Sequence, residues 1–209
     1  MLRTILKELK HHAPFTILGA LSGILIMVIF RNISQKTAYT LFYVFHPFHV
    51  FLSALVTASL YSLYNRTNAG IRKYSILAIL LIGFAGSIGI ATLSDSLIPY
   101  IGETLLKMPH REAHIGFIEK WWLVTPLAFA GILIAYFKPA TKFPHAGHVF
   151  ISTWASLFHV LMAERSIIGL FTYAMIFLFL FIAVWVPCCL SDIVFPLLFV
   201  KKRGLMQNE

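Results

Sequence analysis

Two histidine pairs and two aspartates carry most of the chemistry that can be read from this sequence. HPFHVFLS at 46–53 and HAGHVFIS at 145–152 share an HxxH spacing, and each is followed further on by an LSD triplet, in LSDSLIP at 93–99 and LSDIVFP at 190–196. Residues three apart on a helix share a face, so His46 with His49, and His145 with His148, can turn two imidazoles towards one ligand. Asp95 and Asp192 add a carboxylate to each pair. Neutral imidazole with carboxylate suits a divalent transition metal ion such as Zn, Fe, Ni, Co or Mn, and suits Ca or Mg poorly because those prefer shells of oxygen alone. Ser53 and Ser152 follow one helical turn beyond each second histidine, and Ser94 and Ser191 stand directly before each aspartate. All four are placed to support the ligands from outside or to cap a half-helix.

These polar residues sit in stretches that are otherwise apolar. The 209-residue chain is 59% hydrophobic, 15% aromatic and 12% charged, with a mean hydropathy of +0.82. A water-soluble domain carries about 25% charged residues, so this composition excludes one and makes lipid the solvent. An ionisable side chain within a span costs roughly 2.5–3.5 kcal/mol on insertion scales, which makes function its default explanation.

Six runs of 17 or more residues are nearly free of Lys, Arg, Asp and Glu, close to the roughly 20 needed for a helix to cross about 30 Å of hydrocarbon. They cover about 13–30, 38–64, 74–101, 121–137, 143–163 and 167–200. The first lacks a small-residue cleavage site and ends at Arg31, so it is expected to be a retained span and not a signal peptide. The third and sixth are too long for one straight crossing, and Pro99 and Pro187 are the expected break points. Irregular backbone is therefore expected near 94–99 and 187–196, facing a cavity. With six spans, one side of the membrane collects eleven Lys and Arg and the other six. This places both termini in the cytoplasm of a multi-pass cell-membrane protein.

The recurrence of the HxxH and LSD segments, in the same order and at nearly the same offset, divides the chain into homologous halves, 1–105 and 106–209. LSGILI at 21–26 beside FAGILI at 129–134 is a weaker third match. Each half holds three spans. Tandem halves with an odd number of spans face opposite ways when the linker does not cross, and the linker at 102–120 is too polar to cross. The expected architecture is an all-α membrane domain of six helices in two inverted-topology repeats, a plan common among secondary transporters.

The remaining polar residues read more plainly. His159 is expected to be a hydrogen-bonded packing residue, His11 and His12 interfacial groups, and His110 and His114 part of a solvated, charged amphipathic connector. Cys188 and Cys189 form no CxxC motif and no disulfide framework; they are soft donors near Asp192, but buried cysteine usually acts as a small hydrophobe. Trp121 and Trp122 read as interface anchors, and the glycines in LIGFAGSIG at 81–89 as points of close helix packing.

The net charge of +9 flanks spans and does not interleave with aromatics, so the partner is the lipid bilayer and not nucleic acid. No phosphate-binding loop, HExxH helix or GxSxG elbow is present, which leaves ATP-driven transport within this chain and those hydrolase mechanisms without support. The leading expectation is a permease for a cation, a divalent transition metal ion favoured, with His46, His49, Asp95, His145, His148 and Asp192 as its site. A homo-oligomeric assembly stays open. Two other functions compete. Eight histidines in four pairs resemble the histidine-rich di-iron desaturases and hydroxylases, which would imply a membrane-embedded metalloenzyme, although the charge asymmetry places those pairs on both faces of the membrane. Histidines on facing helices could also ligate a b-type haem.

Overall fold

The computed structural model describes residues 2–29, 33–65, 75–140, 142–163, 169–189 and 195–199. All regular structure among them is helical. In chain order the elements are α1 (Leu2–Ile29), α2 (Gln35–Tyr64), α3 (Ile76–Thr92), a π-helical turn (Leu93–Leu97), α4 (Ile98–Leu105), α5 (Gly116–Glu119), α6 (Trp121–Phe137), α7 (Lys142–Ala163), α8 (Leu170–Cys189) and α9 (Phe195–Leu198). Four stretches are long and apolar enough to cross a membrane: Gln35–Tyr64, Ile76–Leu105, Ala146–Ala163 and Leu170–Cys188. Ala13–Ile29 and Trp121–Phe137 are apolar but shorter. Leu18, Leu25, Leu77, Leu81, Leu133 and Phe137 are exposed on the outside of the bundle, an apolar surface that suits a lipid environment.

Local signals start the helices. Ser34 caps α2, its Oγ accepting the Thr37 amide at 3.1 Å, and Ser75 caps α3 through the Leu77 amide at 3.2 Å. These hydroxyls satisfy amides that the first helical turn leaves without a partner. At the other end of α3 the expected break takes a different form. The helix continues from Ile76 to Leu105 and absorbs the strain as one π turn. The Ile98 amide reaches back to the Leu93 carbonyl. The same pattern would join Ser94 to residue 99, but Pro99 has no N–H to give. The Ser94 carbonyl instead accepts a hydrogen bond from Ser156 Oγ at 2.9 Å. A π turn inside an α-helix often marks a functional position, and Asp95 lies in this one. Pro187 does not end α8, which runs on to Cys189; residues 190–194 lie outside the described residues.

α2 is the central element. It packs on α3, α6 and α7, while α1 packs on α7 and α8. Lipid offers no hydrophobic drive to bring helices together, so close packing of small residues must do it. Gly131 of α6 lies against the Phe51 carbonyl and Ala54, where an added Cβ would run into backbone. Gly83 of α3 meets Ala58 and Ile132, and Gly19 of α1 meets Thr153. The expectation for the 81–89 glycines holds at Gly83 and Gly86, whereas Gly89 faces open space.

Candidate metal centre

Asp95 is the hub of the site. It is fully buried, and each of its oxygens takes two hydrogen bonds. His46 Nδ1 and His49 Nδ1 donate to Oδ2 at 2.9 and 2.8 Å. Ser94 Oγ and Ser152 Oγ donate to Oδ1 at 2.7 and 2.8 Å. A carboxylate only accepts, so both histidines carry a proton on Nδ1, and in the neutral ring Nε2 is then the lone pair. The HxxH spacing on α2 and the π turn after α3 therefore set the tautomer of two imidazoles at once. Ser152 comes from α7, so the carboxylate also ties α7 to the π turn. Ser156, one turn further along α7, shares its hydroxyl between the Ser94 and Ser152 carbonyls, 2.9 Å from each.

His49 sits half-way along α2, and His148 of α7 stacks against it with ring centroids 5.6 Å apart and planes 4° from parallel. Cys188 of α8 completes the group, its Sγ 3.9 Å from His49 Nε2. One donor atom from each of His49, His148 and Cys188 lies within 4.8 Å of the others, and all three residues are buried. Two nitrogens and a sulfur at this separation can close on one ion with small side-chain movements, since Zn–N bonds are about 2.0–2.1 Å and Zn–S bonds about 2.3 Å.

Of the residues singled out by sequence, the structure brings together His46, His49, Asp95, Ser94, His148 and Ser152. Ser53 is buried on α2 one turn beyond His49. His145 falls in the first turn of α7, its side chain outside the described residues, as are Ser191 and Asp192. Cys188 was weighed as a hydrophobe and proves to adjoin the imidazoles. Its neighbour Pro187 and the apolar run around it hid that proximity, which depends on how α8 is rotated.

A second polar cluster was missed. Glu103, assigned to the polar linker, is buried at the end of α4 and accepts a hydrogen bond from His159 Nδ1 at 2.7 Å. His159 is thus hydrogen-bonded, as expected. Its Nε2 accepts the His114 amide at 3.3 Å. The connector is not uniformly solvated: His110 is exposed, but His114 is buried at 8% and bonded through Nδ1 to Glu119 at 3.2 Å. Glu119 in turn accepts Tyr43 Oη–H at 2.6 Å and Tyr39 Oη–H at 3.4 Å. A carboxylate so close to the end of a span was the one sequence sign that Glu103 is held inside. Of the PHREAH pair, His110 is exposed while His114 packs edge-on to His159, with ring centroids 5.7 Å apart. Trp121 and Trp122 are exposed at the start of α6, in keeping with interface anchors.

Comparison with known proteins yields no match to a family model, a curated protein or a solved structure. The functional reading of this centre rests on its geometry.

Proposed function

We propose that this chain is a multi-pass membrane permease for a transition-metal cation, which is held in mid-membrane by His49 Nε2, an imidazole nitrogen of His148 and Cys188 Sγ. The observation that carries the reading is the mutual approach of these three buried donors, with Asp95 orienting His49 from behind. A carboxylate that fixes a ligating histidine through its far nitrogen is the usual outer support of a metal site. Asp95, its four lone-pair positions filled, acts here as orienter and not as ligand. Two imidazoles and a thiolate favour Zn, Co, Ni or Cu over Ca and Mg. Three protein ligands leave a coordination position open, which suits an ion that must also leave.

The inverted repeat supports transport in particular. α1 packs on α7 and α8, the second and third long helices of the other half; α6, its counterpart, packs on α2 and α3. An exchange of that kind is what a pseudo-two-fold axis between halves 1–105 and 106–209 produces, and a substrate site at the repeat interface is the habit of such transporters. In this reading all six apolar helices cross, the termini face the cytoplasm, and the connector at 106–115 faces outward.

Cobalt is the probe for the test. Titrating Co(II) into the purified full chain should produce a sulfur-to-cobalt charge-transfer band in the near ultraviolet, absent from Cys188→Ser. Proteoliposomes loaded with a metal-sensitive dye should take up Co(II) or Zn(II) with the native chain and fail to with His148→Ala. A native chain that binds no Co(II), or variants that transport at the native rate, would overturn the proposal.

A further inference from the structure

Among the described residues two carboxylates are buried beside histidines, and their oxygens are satisfied very differently. Asp95 accepts two hydrogen bonds on each oxygen. Glu103, on the last turn of α4, accepts one on Oε1, from His159 Nδ1 at 2.7 Å. Its Oε2 is buried and has no hydrogen-bond partner among the described residues. Both side chains of the pair are at most 1% exposed.

The connector fixes which protons the pair carries. The His114 amide donates to His159 Nε2 at 3.3 Å. An amide N–H only donates, so Nε2 holds a lone pair and the single N–H of the neutral ring is on Nδ1. His159 is therefore uncharged here and does not neutralise Glu103 as an imidazolium would. Among the described residues it is the one basic side chain within ion-pairing distance of Glu103. Of the elements packed on α4, α7 faces the carboxyl with His159, and the π turn carries Asp95. α8, which meets Gly102 through Phe179, has Tyr173 and Cys188 as its titratable groups. In the connector Lys107, His110, Arg111 and Glu112 are exposed, and Arg111 turns to the Met108 carbonyl at 3.1 Å. His114 is bonded to Glu119, which also holds Tyr43 and Tyr39. A buried carboxylate left with one neutral hydrogen bond is relieved by taking a proton. Oε2 is the position for it, because a hydroxyl there leaves the bond from Nδ1 to Oε1 untouched.

We infer that Glu103 Oε2 is a proton-binding position and that the Glu103–His159 pair couples protons to the passage of the cation. The coupling rests on the permease reading above; the proton position does not. The step is a proton transfer alone: an O–H bond forms at Oε2 with a proton from water, the carboxylate loses its charge, and release returns the proton to water. His114 links the pair to the aqueous side, its ring edge-on to His159 at 5.7 Å and its partner Glu119 32% exposed. The same strip that supplies the His114 amide seats Gly116 against His46. Phe42 touches both rings, stacked on His46 at 5.2 Å and edge-on to His159 at 5.5 Å. A rearrangement at Glu103 is thus felt one ring away from the Asp95 centre. Aligning the repeated segments sets Leu60 opposite His159 and Val200 opposite Glu103, so the pair belongs to one end of the molecule and is not a product of the duplication.

Infrared difference spectra of the full chain in lipid, taken between low and high pH, should contain the carbonyl stretch of a protonated carboxyl that is lost in Glu103→Gln. Glutamine still accepts from His159 and sets an uncharged amide where the Oε2 hydroxyl would be, so the variant resembles the protonated form. Should it not fold, His159→Gln, which exchanges the donor to Oε1, should shift the same band. In proteoliposomes holding a pH-sensitive dye, Co(II) uptake by the native chain should bring a sustained change in internal pH, and the protons moved per Co(II) should fall in Glu103→Gln. Metal binding at the Cys188 thiol releases protons in both chains, so the difference between them reads Glu103. A carboxyl band indifferent to both variants would overturn the proton position. Co(II) uptake by the native chain without a pH change would overturn the coupling and leave the permease standing. A band lost in Glu103→Gln, from a chain that moves no Co(II), would support the proton position and overturn the permease reading.

Discussion

His49 and His148 lie ring on ring, 5.6 Å between centroids and 4° from parallel, and they occupy the same position in the two repeated segments HPFHVFLS and HAGHVFIS. A two-fold rotation brings a residue near its axis against its own copy. The stacked pair is what that symmetry would place at the axis, and Cys188, which the alignment of the LSD segments sets opposite Ala91, stands beside it without a counterpart of its own kind.

Asp95→Asn keeps the shape of the hub and changes its hydrogen bonding. The amide nitrogen would donate to the Nδ1 atoms of His46 and His49, and each ring would have to move its proton to Nε2. His49 would then present a donor where a ligand is needed. Co(II) affinity at the thiolate-containing site is expected to fall at least 10-fold, in line with the about 10 to 100-fold cost of changes behind a ligand. Unchanged affinity in a folded variant would show that Asp95 does not set the tautomer.

Ser156→Ala leaves the Ser94 carbonyl of the π turn without its hydroxyl donor. Leaving a buried acceptor unsatisfied costs about 1–3 kcal/mol, and the shared geometry with Ser152 places this case near the low end. Thermal unfolding in detergent should show a lower midpoint, together with weaker metal binding because Asp95 rides on the same turn. A midpoint equal to that of the native chain would mean the turn holds itself.

Gly131→Ala sets a methyl group against the Phe51 carbonyl, which is backbone and cannot swing aside. α6 must then move off α2. Overpacking of this kind typically costs about 1–3 kcal/mol, read as a lower unfolding midpoint. Gly89→Ala, in open space, is the control and should be neutral or slightly stabilising. Equal behaviour of the two variants would argue against close α2–α6 packing.

Topology can be read by labelling single cysteines, with Cys188 and Cys189 first replaced by serine. α6 has 17 residues, about 25 Å at 1.5 Å per residue, slightly less than a typical hydrocarbon core. With Trp121 and Trp122 at one end and Lys138 at the other, it is expected to cross. An impermeant thiol reagent applied to intact cells should label Glu112→Cys and leave Lys138→Cys unlabelled. Labelling of both from one side would sink the inverted arrangement.

The apolar runs, the duplicated HxxH and LSD segments and the close-packing glycines were legible in the sequence, because composition and helical spacing are local properties of the chain. Even so, Pro99 was read as a break, and only the structure shows a continuous helix in which a π turn and Ser156 absorb the missing amide. Which donors meet was decided by tertiary packing. The approach of Cys188 to His49, the seating of Gly116 on His46 and the burial of Glu103 with His159 each depend on the rotation of one helix against another. Small-residue contacts of α8, with Gly102 of α4 against Phe179 and Gly23 of α1 against Leu180, bear on the first of these. No spacing along a single helix records them, since in lipid the orientation of a helix comes from the fit of its neighbours and not from a hydrophobic face of its own.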